Sequence, residues 1–141
     1  SAKFWSADSA GGKATWWQVD LEKPTTVSSV VVVSYYADRR FYGFTVETSL
    51  DGKTWKMVAD RRQNTELSTA AGYECNFAAH QTRYIRINQT HNSANSGRHL
   101  VEVKAFEKPI GYGKRHAASV EHAAWMMMAN TVLNSDRAIN K

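Results

Sequence analysis

Hydrophobic and polar residues alternate in short runs along most of the chain, which is the pattern of β-strands with one buried face. In residues 16–22, Trp17, Val19 and Leu21 fall on one face and polar residues fall on the other. The unbroken run of valines at residues 30–33 predicts a strand that is buried on both faces. The first third of the chain is therefore expected to form strands rather than helices.

Further strands are predicted at similar spacing, with polar turns between them. Their residues are 44–50, 53–59, 73–77, 84–89 and 101–107. Asp51 and Gly52 form a strong hairpin signal between two of these runs. The strand that follows this hairpin carries Trp55 and Met57 on one face.

The last of these runs places Val103 and Ala105 on one face, and Glu102, Lys104 and Phe106 on the other. Together the runs amount to about seven short strands with regular turns, which predicts an all-β sandwich or barrel.

The last segment has a different pattern. Residues 117–133 are rich in Ala and Met, contain no Gly or Pro, and place Val120, Ala124 and Met127 at helical spacing. This predicts a helix with Ser119 as its N-cap. Such a helix would either pack on the sandwich or join subunits into an oligomer.

Several sequence blocks match a known family in order and spacing. They are residues 16–21, 42–55, 83–87 and 101–106. Across residues 4–107 the chain resembles the discoidin domain, also called the coagulation factor V/VIII type C domain. Bacterial relatives of this domain are the family 32 carbohydrate-binding modules. The resemblance implies an eight-stranded jelly-roll β-sandwich over residues 1–109, followed by a tail over residues 110–141.

The opening of the chain departs from this family. Family members begin with a strand and a loop that are missing ahead of Trp5, whereas residues 138–141 joined to residues 1–5 would supply that loop. The chain is thus either circularly permuted, with a tail that donates a strand, or cut from a tandem array. A plain helical tail is the third alternative.

Composition limits the remaining possibilities. With 141 residues, 43% hydrophobic and 22% charged, the chain suits one globular domain. Its uncharged apolar stretches are too short to cross a bilayer. The single cysteine, Cys75, excludes an internal disulfide and a cysteine-based zinc site. The net charge of +5 favours an anionic partner without naming one.

The sequence offers no catalytic motif. It contains no glycine-rich phosphate loop, nucleophile elbow or paired-histidine metal motif. None of the five histidines has a histidine partner one helical turn away. We therefore expect a domain that is not an enzyme. Nucleic-acid binding is not expected, because the basic residues are dispersed along the chain.

Two loops carry the mixture of aromatic and polar side chains that sugar recognition needs, one at residues 35–41 and the other at residues 90–99. The resemblance brings both loops to one end of the sandwich. The candidate ligand-binding residues are Tyr36, Asp38, Arg39, Arg40, Phe41, His91, Asn92, Asn95, Arg98 and His99. The competing interpretation is structural: a tyrosine can cap the core, and Asn, Ser and Gly are ordinary turn residues.

The resemblance implies a non-catalytic, lectin-like, extracellular or cell-surface module that attaches a larger protein to glycans. The galactose-binding pattern is poorly matched, because Ser6 stands where those modules often have His. The basic charge would suit an acidic glycan. The alternatives are an interaction or adhesion domain for protein or anionic membrane, and an assembly domain that uses the Met-rich tail. The polar residues 92–97 argue against a membrane partner.

The resemblance also implies a structural calcium ion. Val101 would offer a carbonyl oxygen and Glu102 a carboxylate, which are ligand types that Ca²⁺ prefers. The family's loop aspartate is replaced by Asn140, and Lys141 follows it. Loss of that carboxylate would weaken calcium binding, and an ammonium group could neutralise Glu102 in place of the ion.

Overall fold

The computed structural model describes residues 5–8, 15–109 and 123–127, which form eight strands and no helix. The strands are β1 (Trp5–Asp8), β2 (Thr15–Val33), β3 (Tyr42–Ser49), β4 (Lys56–Asp60), β5 (Tyr73–Asn92), β6 (Gly97–Leu100), β7 (Glu102–Phe106) and β8 (Ala123–Met127). Within these residues, no helix is long and apolar enough to span a membrane.

The two longest strands, β2 and β5, pair in an antiparallel ribbon that runs through the whole domain. The register is broken between Asp20 and Thr25, where Glu22 has a left-handed φ of 75°. This irregularity divides the ribbon into two halves. Strands β3 and β4 extend the half that contains the end of β5, and strands β7 and β8 extend the half that contains the end of β2.

The two halves enclose one hydrophobic core. The rings of Phe44 and Tyr73, which come from opposite halves, lie 5.5 Å apart. Trp17, Val30 and Val103 belong to the same buried cluster. Strands β1 and β6 form a separate two-stranded sheet that adds Trp5 and Leu100 to this core. The architecture is a β-sandwich, as the alternating pattern predicted.

The strand predicted to be buried on both faces is confirmed. All of residues 30–33 are at most 2% exposed. Val30 and Val32 face the main core, while Val31 and Val33 pack with Phe106 in a second cluster. Phe106 lies on the face of β7 opposite Val103 and Ala105, as its alternation predicted, and this second face is buried against Val31 and Val33.

The hairpin predicted at Asp51 joins β3 to β4. Oδ1 of Asp51 accepts the N–H groups of Lys53 and Thr54, both at 2.8 Å. These bonds hold Lys53 and Thr54 in the turn, so β4 starts at Lys56 rather than at Lys53. Met57 is 46% exposed on this strand.

The helix predicted across residues 117–133 is wrong for its central part. Ala123–Met127 forms a strand that pairs antiparallel with β7 and places Met127 opposite Val103. Hydrogen bonds along the edge of β7 replace those of a helix, which outweighs the helical preference of Ala and Met. The rest of residues 110–141 lies outside the described residues. The boundary between the sandwich and the tail at residue 109 stays a prediction.

Candidate functional site

The two loops predicted to bind a ligand are in contact. The N–H of Phe41 donates to Oγ of Ser93 at 2.9 Å, and the N–H of Ser93 donates to the carbonyl of Phe41 at 3.0 Å. The rings of Phe41 and His91 lie 5.7 Å apart with a tilt of 39°. Both loops therefore meet at one end of the sandwich, next to the start of β3.

A third loop, which the sequence analysis missed, completes an open cleft of about 460 Å³. We name it the rim cleft; it is lined by Phe41, Arg62, Gln63, Asn64, Thr65, Thr90 and His91. Residues 62–65 follow β4 as a short polar run. That polarity was the available signal, but a polar run between two strands is also what any surface turn contains.

The third loop is held firmly against β3. Nδ2 of Asn64 donates to the carbonyls of Tyr42 at 2.9 Å and Glu66 at 3.3 Å. The N–H of Arg61 donates to the carbonyl of Phe44 at 2.8 Å. Close approach also needs Gly43, because a Cβ there would lie 2.8 Å from the carbonyl oxygen of Arg62.

Arg62 brings a positive charge to the rim cleft. Its Nε and Nη2 donate to the two carboxylate oxygens of Asp60 at 2.9 and 2.7 Å. These hydrogen bonds lower the pKa of Asp60 to about 2. The Arg62 side chain remains 52% exposed, and a guanidinium has five N–H donors, so donors remain for a ligand.

A second arginine, Arg40, directly precedes Phe41 in the loop of residues 35–41. Arg40 forms an ion pair with Asp38 and lies over the ring of Tyr35, 5.0 Å from its centroid. The hydrogen bond from Arg40 lowers the pKa of Asp38. On the same loop, Arg39 is exposed and Tyr36 is 45% exposed. Both side chains are presented to solvent, as is that of Asp38, which is 50% exposed.

His99 is part of the loop's support. Its Nδ1 forms a 2.7 Å hydrogen bond with the hydroxyl of Tyr42, and its ring lies 6.0 Å from that of Tyr35. Burial, and then the charges of Arg40 and Arg98, lower the pKa of His99. Burial also raises the pKa of Tyr42 to about 12. Both pKa shifts favour the neutral forms of His99 and Tyr42.

Three other candidate residues shape the loop that carries His91. Nδ2 of Asn92 donates to Oδ1 of Asn95 at 2.9 Å and to the carbonyl of Gly97 at 2.7 Å. Arg98 is 9% exposed and donates to the carbonyl of Thr90 at 3.3 Å. These bonds fix the loop, and the role of Asn92, Asn95 and Arg98 as direct ligands stays a prediction.

The residues implied for calcium were checked against the geometry. The carboxylate of Glu102 lies 3.5 Å from Nζ of Lys104, so an ammonium does face it. Within the described residues, no group of three or more His, Cys, Asp or Glu side chains could hold a metal. Val101 and Glu102 alone fall short of the six to eight oxygens that Ca²⁺ takes. Asn140 lies outside the described residues, and calcium binding stays a prediction.

The sequence matches a known family over residues 1–87. That family is described as the NedA-like, galactose-binding domain of F5/F8 type C. The chain belongs to this family, which confirms the resemblance drawn from its sequence blocks.

Two curated relatives carry a similar segment. BTB/POZ domain-containing protein 9 from Homo sapiens is 33% identical over 90 residues, which cover 64% of this chain and 14% of that protein. The protein of the same name from Drosophila melanogaster is 32% identical over 99 residues, which cover 70% and 13%. The chain thus spans a small part of these relatives.

Solved structures of carbohydrate-binding modules share the fold. The CBM32 of AlyQ, solved in complex with 4,5-unsaturated mannuronic acid, is 30% identical, with a TM-score of 0.63 over 74% of this chain and 78% of that one. A pectin-binding module is 23% identical, with a TM-score of 0.59 over 72% and 70%. At that identity the pectin-binding module shows the fold alone.

Proposed function

We propose that this chain is a non-catalytic glycan-binding module whose rim cleft holds one residue of an acidic polysaccharide. The observation that carries the proposal is the rim cleft itself. It brings the rings of Phe41 and His91 within 5.7 Å of each other, beside Arg62 and the amides of Gln63 and Asn64. The resemblance had grouped the loops of Phe41 and His91, but nothing in the sequence had grouped Arg62, Gln63 and Asn64 with them.

The lining has the chemistry that a sugar ring requires. The face of Phe41 can cover the apolar C–H surface of a pyranose. The amide group of Gln63 and the imidazole of His91 offer donors and acceptors for its hydroxyls, whereas the amide of Asn64 holds the third loop in place. Because the third loop is tied to β3 by hydrogen bonds, these groups are held in place before the ligand arrives, which reduces the entropy lost on binding.

An acidic sugar is favoured over a neutral one. Arg62 lies in the cleft and can bind a carboxylate through its remaining N–H groups. Arg39 is exposed on the adjacent loop, and the chain has a net charge of +5. The AlyQ module, which is 30% identical, was solved with an unsaturated uronic acid.

A binding role fits the lining better than hydrolysis does. Most glycoside hydrolases need two carboxyl groups on opposite sides of the scissile bond. The described residues that line the rim cleft include neither Asp nor Glu. The nearby carboxylate of Asp60 is engaged by Arg62. We further propose that the module acts outside the cell, where it attaches a larger protein or a cell surface to glycans.

The test is calorimetric titration with mannuronate and galacturonate oligosaccharides, using chito-oligosaccharides for comparison. Phe41→Ala and Arg62→Gln are each expected to weaken binding of the acidic oligosaccharides about tenfold, the effect of one strong contact. Arg83→Gln is the matched control for Arg62→Gln, because Arg83 also forms a two-point ion pair, with Asp20, but lies outside the cleft.

Two results would contradict the proposal. One is that the acidic oligosaccharides bind equally to the original chain and to both cleft variants. The other is that no oligosaccharide binds while vesicles containing phosphatidylserine do, which would identify the domain as a membrane-binding one.

A further inference from the structure

A second open cleft, of about 420 Å³, lies at the other end of β3. We name it the hairpin cleft; its lining includes Leu50, Thr54, Trp55, Lys56, His80 and Gln81. Strand β3 has eight residues, from Tyr42 beside the rim cleft to Ser49 in the hairpin cleft. At a rise of about 3.3 Å per residue, the two clefts are roughly 23 Å apart.

The hairpin cleft has an apolar surface that the fold does not need. Leu50 is 54% exposed although it is a large hydrophobic residue. Trp55 lies beside it, only partly buried, and is held in place by Arg86, whose guanidinium carbon is 4.0 Å from the ring centroid. An immobilised tryptophan next to an exposed leucine offers a surface for the C–H face of a sugar.

Polar groups surround this apolar surface. His80 is fixed by hydrogen bonds to Oγ1 of Thr48 at 2.8 Å and to the carbonyl of Ala78 at 2.9 Å. Nε2 of Gln81 donates to Oγ1 of Thr26 at 2.6 Å, which orients the amide at the edge of the cleft. The arrangement is ordered without a ligand.

One cation of the hairpin cleft, Lys56, is available to an anionic ligand. Lys56 is exposed and forms no ion pair within the part of the chain that the structure describes. The one carboxylate in the lining, that of Asp51, accepts the N–H groups of Lys53 and Thr54 and the hydroxyl of Ser49. All three bonds are made by Oδ1, so this oxygen is engaged by its own turn.

We infer that the hairpin cleft is a second sugar-binding site, which takes one uronate ring with its C–H face on Trp55 and Leu50 and its carboxylate toward Lys56. For the class of ligand, this inference rests on the proposed function. The location of the second site is argued separately, from the residues of the hairpin cleft. Two sites at opposite ends of the sandwich would let one domain bridge two chains of an acidic polysaccharide.

The experiment is a nuclear magnetic resonance titration of the ¹⁵N-labelled chain with mannuronate trisaccharide. The indole N–H of Trp55 and the amide of Leu50 are expected to shift, together with the amide of His91 in the rim cleft. Leu50→Asp and Lys56→Glu are each expected to reduce affinity at the hairpin cleft at least tenfold. The shifts of His91 should be unchanged in both variants.

Met57→Ala is the control, because Met57 is a similarly exposed hydrophobic residue of the same hairpin but does not line the cleft. All three variants change exposed side chains, and the dispersion of amide resonances shows whether each is folded. Shifts confined to His91 would overturn the second site and leave the proposed function standing. Shifts confined to Trp55 and Leu50 would support the second site and overturn the rim cleft. Shifts at neither site would overturn both.

Discussion

The guanidinium carbon of Arg86 lies 4.0 Å from the ring centroid of Trp55, and it is also 4.5 Å from that of Trp16. Nε and Nη2 of the same side chain donate to Oε1 of Gln18 at 3.1 and 2.9 Å. Arg86 on β5 therefore connects β2 to the segment that leads into β4. Burial lowers the pKa of Arg86, and a partly desolvated cation gains more from an aromatic face than an exposed one.

Arg86→Lys is expected to lower the free energy of unfolding by about 1–2 kcal/mol, because an ammonium cannot stack flat on two indoles or donate twice to one oxygen. The measurement is urea denaturation followed by tryptophan fluorescence. Arg62→Lys is the control, since the Arg62–Asp60 pair also uses Nε and Nη2 but is exposed, and such pairs contribute about 0–1 kcal/mol. Equal losses in the two variants would show that the aromatic stack adds nothing.

Gly43 sets the shape of the rim cleft. A Cβ at this position would lie 2.8 Å from the carbonyl oxygen of Arg62 and 3.1 Å from Oγ1 of Thr90. Gly43→Ala must therefore push the third loop outward, at a cost of about 1–3 kcal/mol in stability. Affinity for acidic oligosaccharides, measured by calorimetry, should fall at least tenfold.

Gly52→Ala separates loss of binding from loss of stability. Gly52 has a φ of 75°, and an added Cβ would meet only ordinary contacts with Tyr84. The substitution is expected to destabilise the chain by about 1 kcal/mol through backbone strain. Because the hairpin is remote from the rim cleft, affinity there should be unchanged. A parallel loss of affinity would mean that Gly43→Ala acts through general destabilisation.

Asp51 makes the stability of the hairpin depend on pH. Hydrogen bonds from the backbone of Thr54 and Lys53, and then from Ser49, lower its pKa from 3.8 to about 2. As the pH falls, the folded state therefore takes up this proton at a lower pH than the unfolded state does. The stabilisation is complete above the ordinary pKa of about 4 and is lost as the pH falls toward 2.

Asp51→Asn should accordingly reduce the fall in the thermal unfolding midpoint between pH 5 and pH 2. Part of the pH dependence should remain, because Arg62 lowers the pKa of Asp60 to about 2 as well. Asp51→Asn and Asp60→Asn together should reduce the dependence further than either change alone. If none of these variants changes the fall in the thermal unfolding midpoint between pH 5 and pH 2, other carboxylates control acid unfolding.

The core was predictable because its signal is local. Trp17 and Val19 alternate with polar neighbours, and both are at most 2% exposed. Phe106 lies on the predicted face, but alternation alone did not show that β7 buries part of both faces. The strand at Ala123–Met127 follows the alternative of a strand-donating tail. The sequence could not choose it over a helix, because Ala and Met favour a helix in isolation and only the edge of β7 reverses that preference.

The candidate site was partly predictable. Phe41 and His91 stood out because aromatic and basic side chains are unusual in loops that contain many turn residues. Their contact depends on the pairing of β3 with β5, which places Tyr42 opposite Asn92 and which no spacing in the sequence specifies. Arg62 was missed for the same reason, since its loop reaches the cleft only through Asn64 and Gly43.

The tail offers a test between a strand of the domain's own sheet and an assembly element. Val103, Lys104 and Ala105 of β7 lie opposite Met127, Met126 and Trp125 of β8. Removal of residues 110–141 would leave the backbone groups on that edge of β7 without these partners. We expect this to lower the free energy of unfolding by about 2–4 kcal/mol, at roughly 0.5–1.5 kcal/mol for each hydrogen bond lost.

An exposed strand edge promotes association, so the shortened chain should also show a mass that rises with concentration. Sedimentation equilibrium over a hundredfold concentration range measures this, and the full chain should keep one constant mass. The assembly hypothesis predicts the reverse: the full chain would form a concentration-dependent oligomer, and removal of the tail would abolish it. The two hypotheses thus predict opposite effects of tail removal on the concentration dependence of the mass. This experiment therefore decides between them even if the shortened chain is only marginally stable.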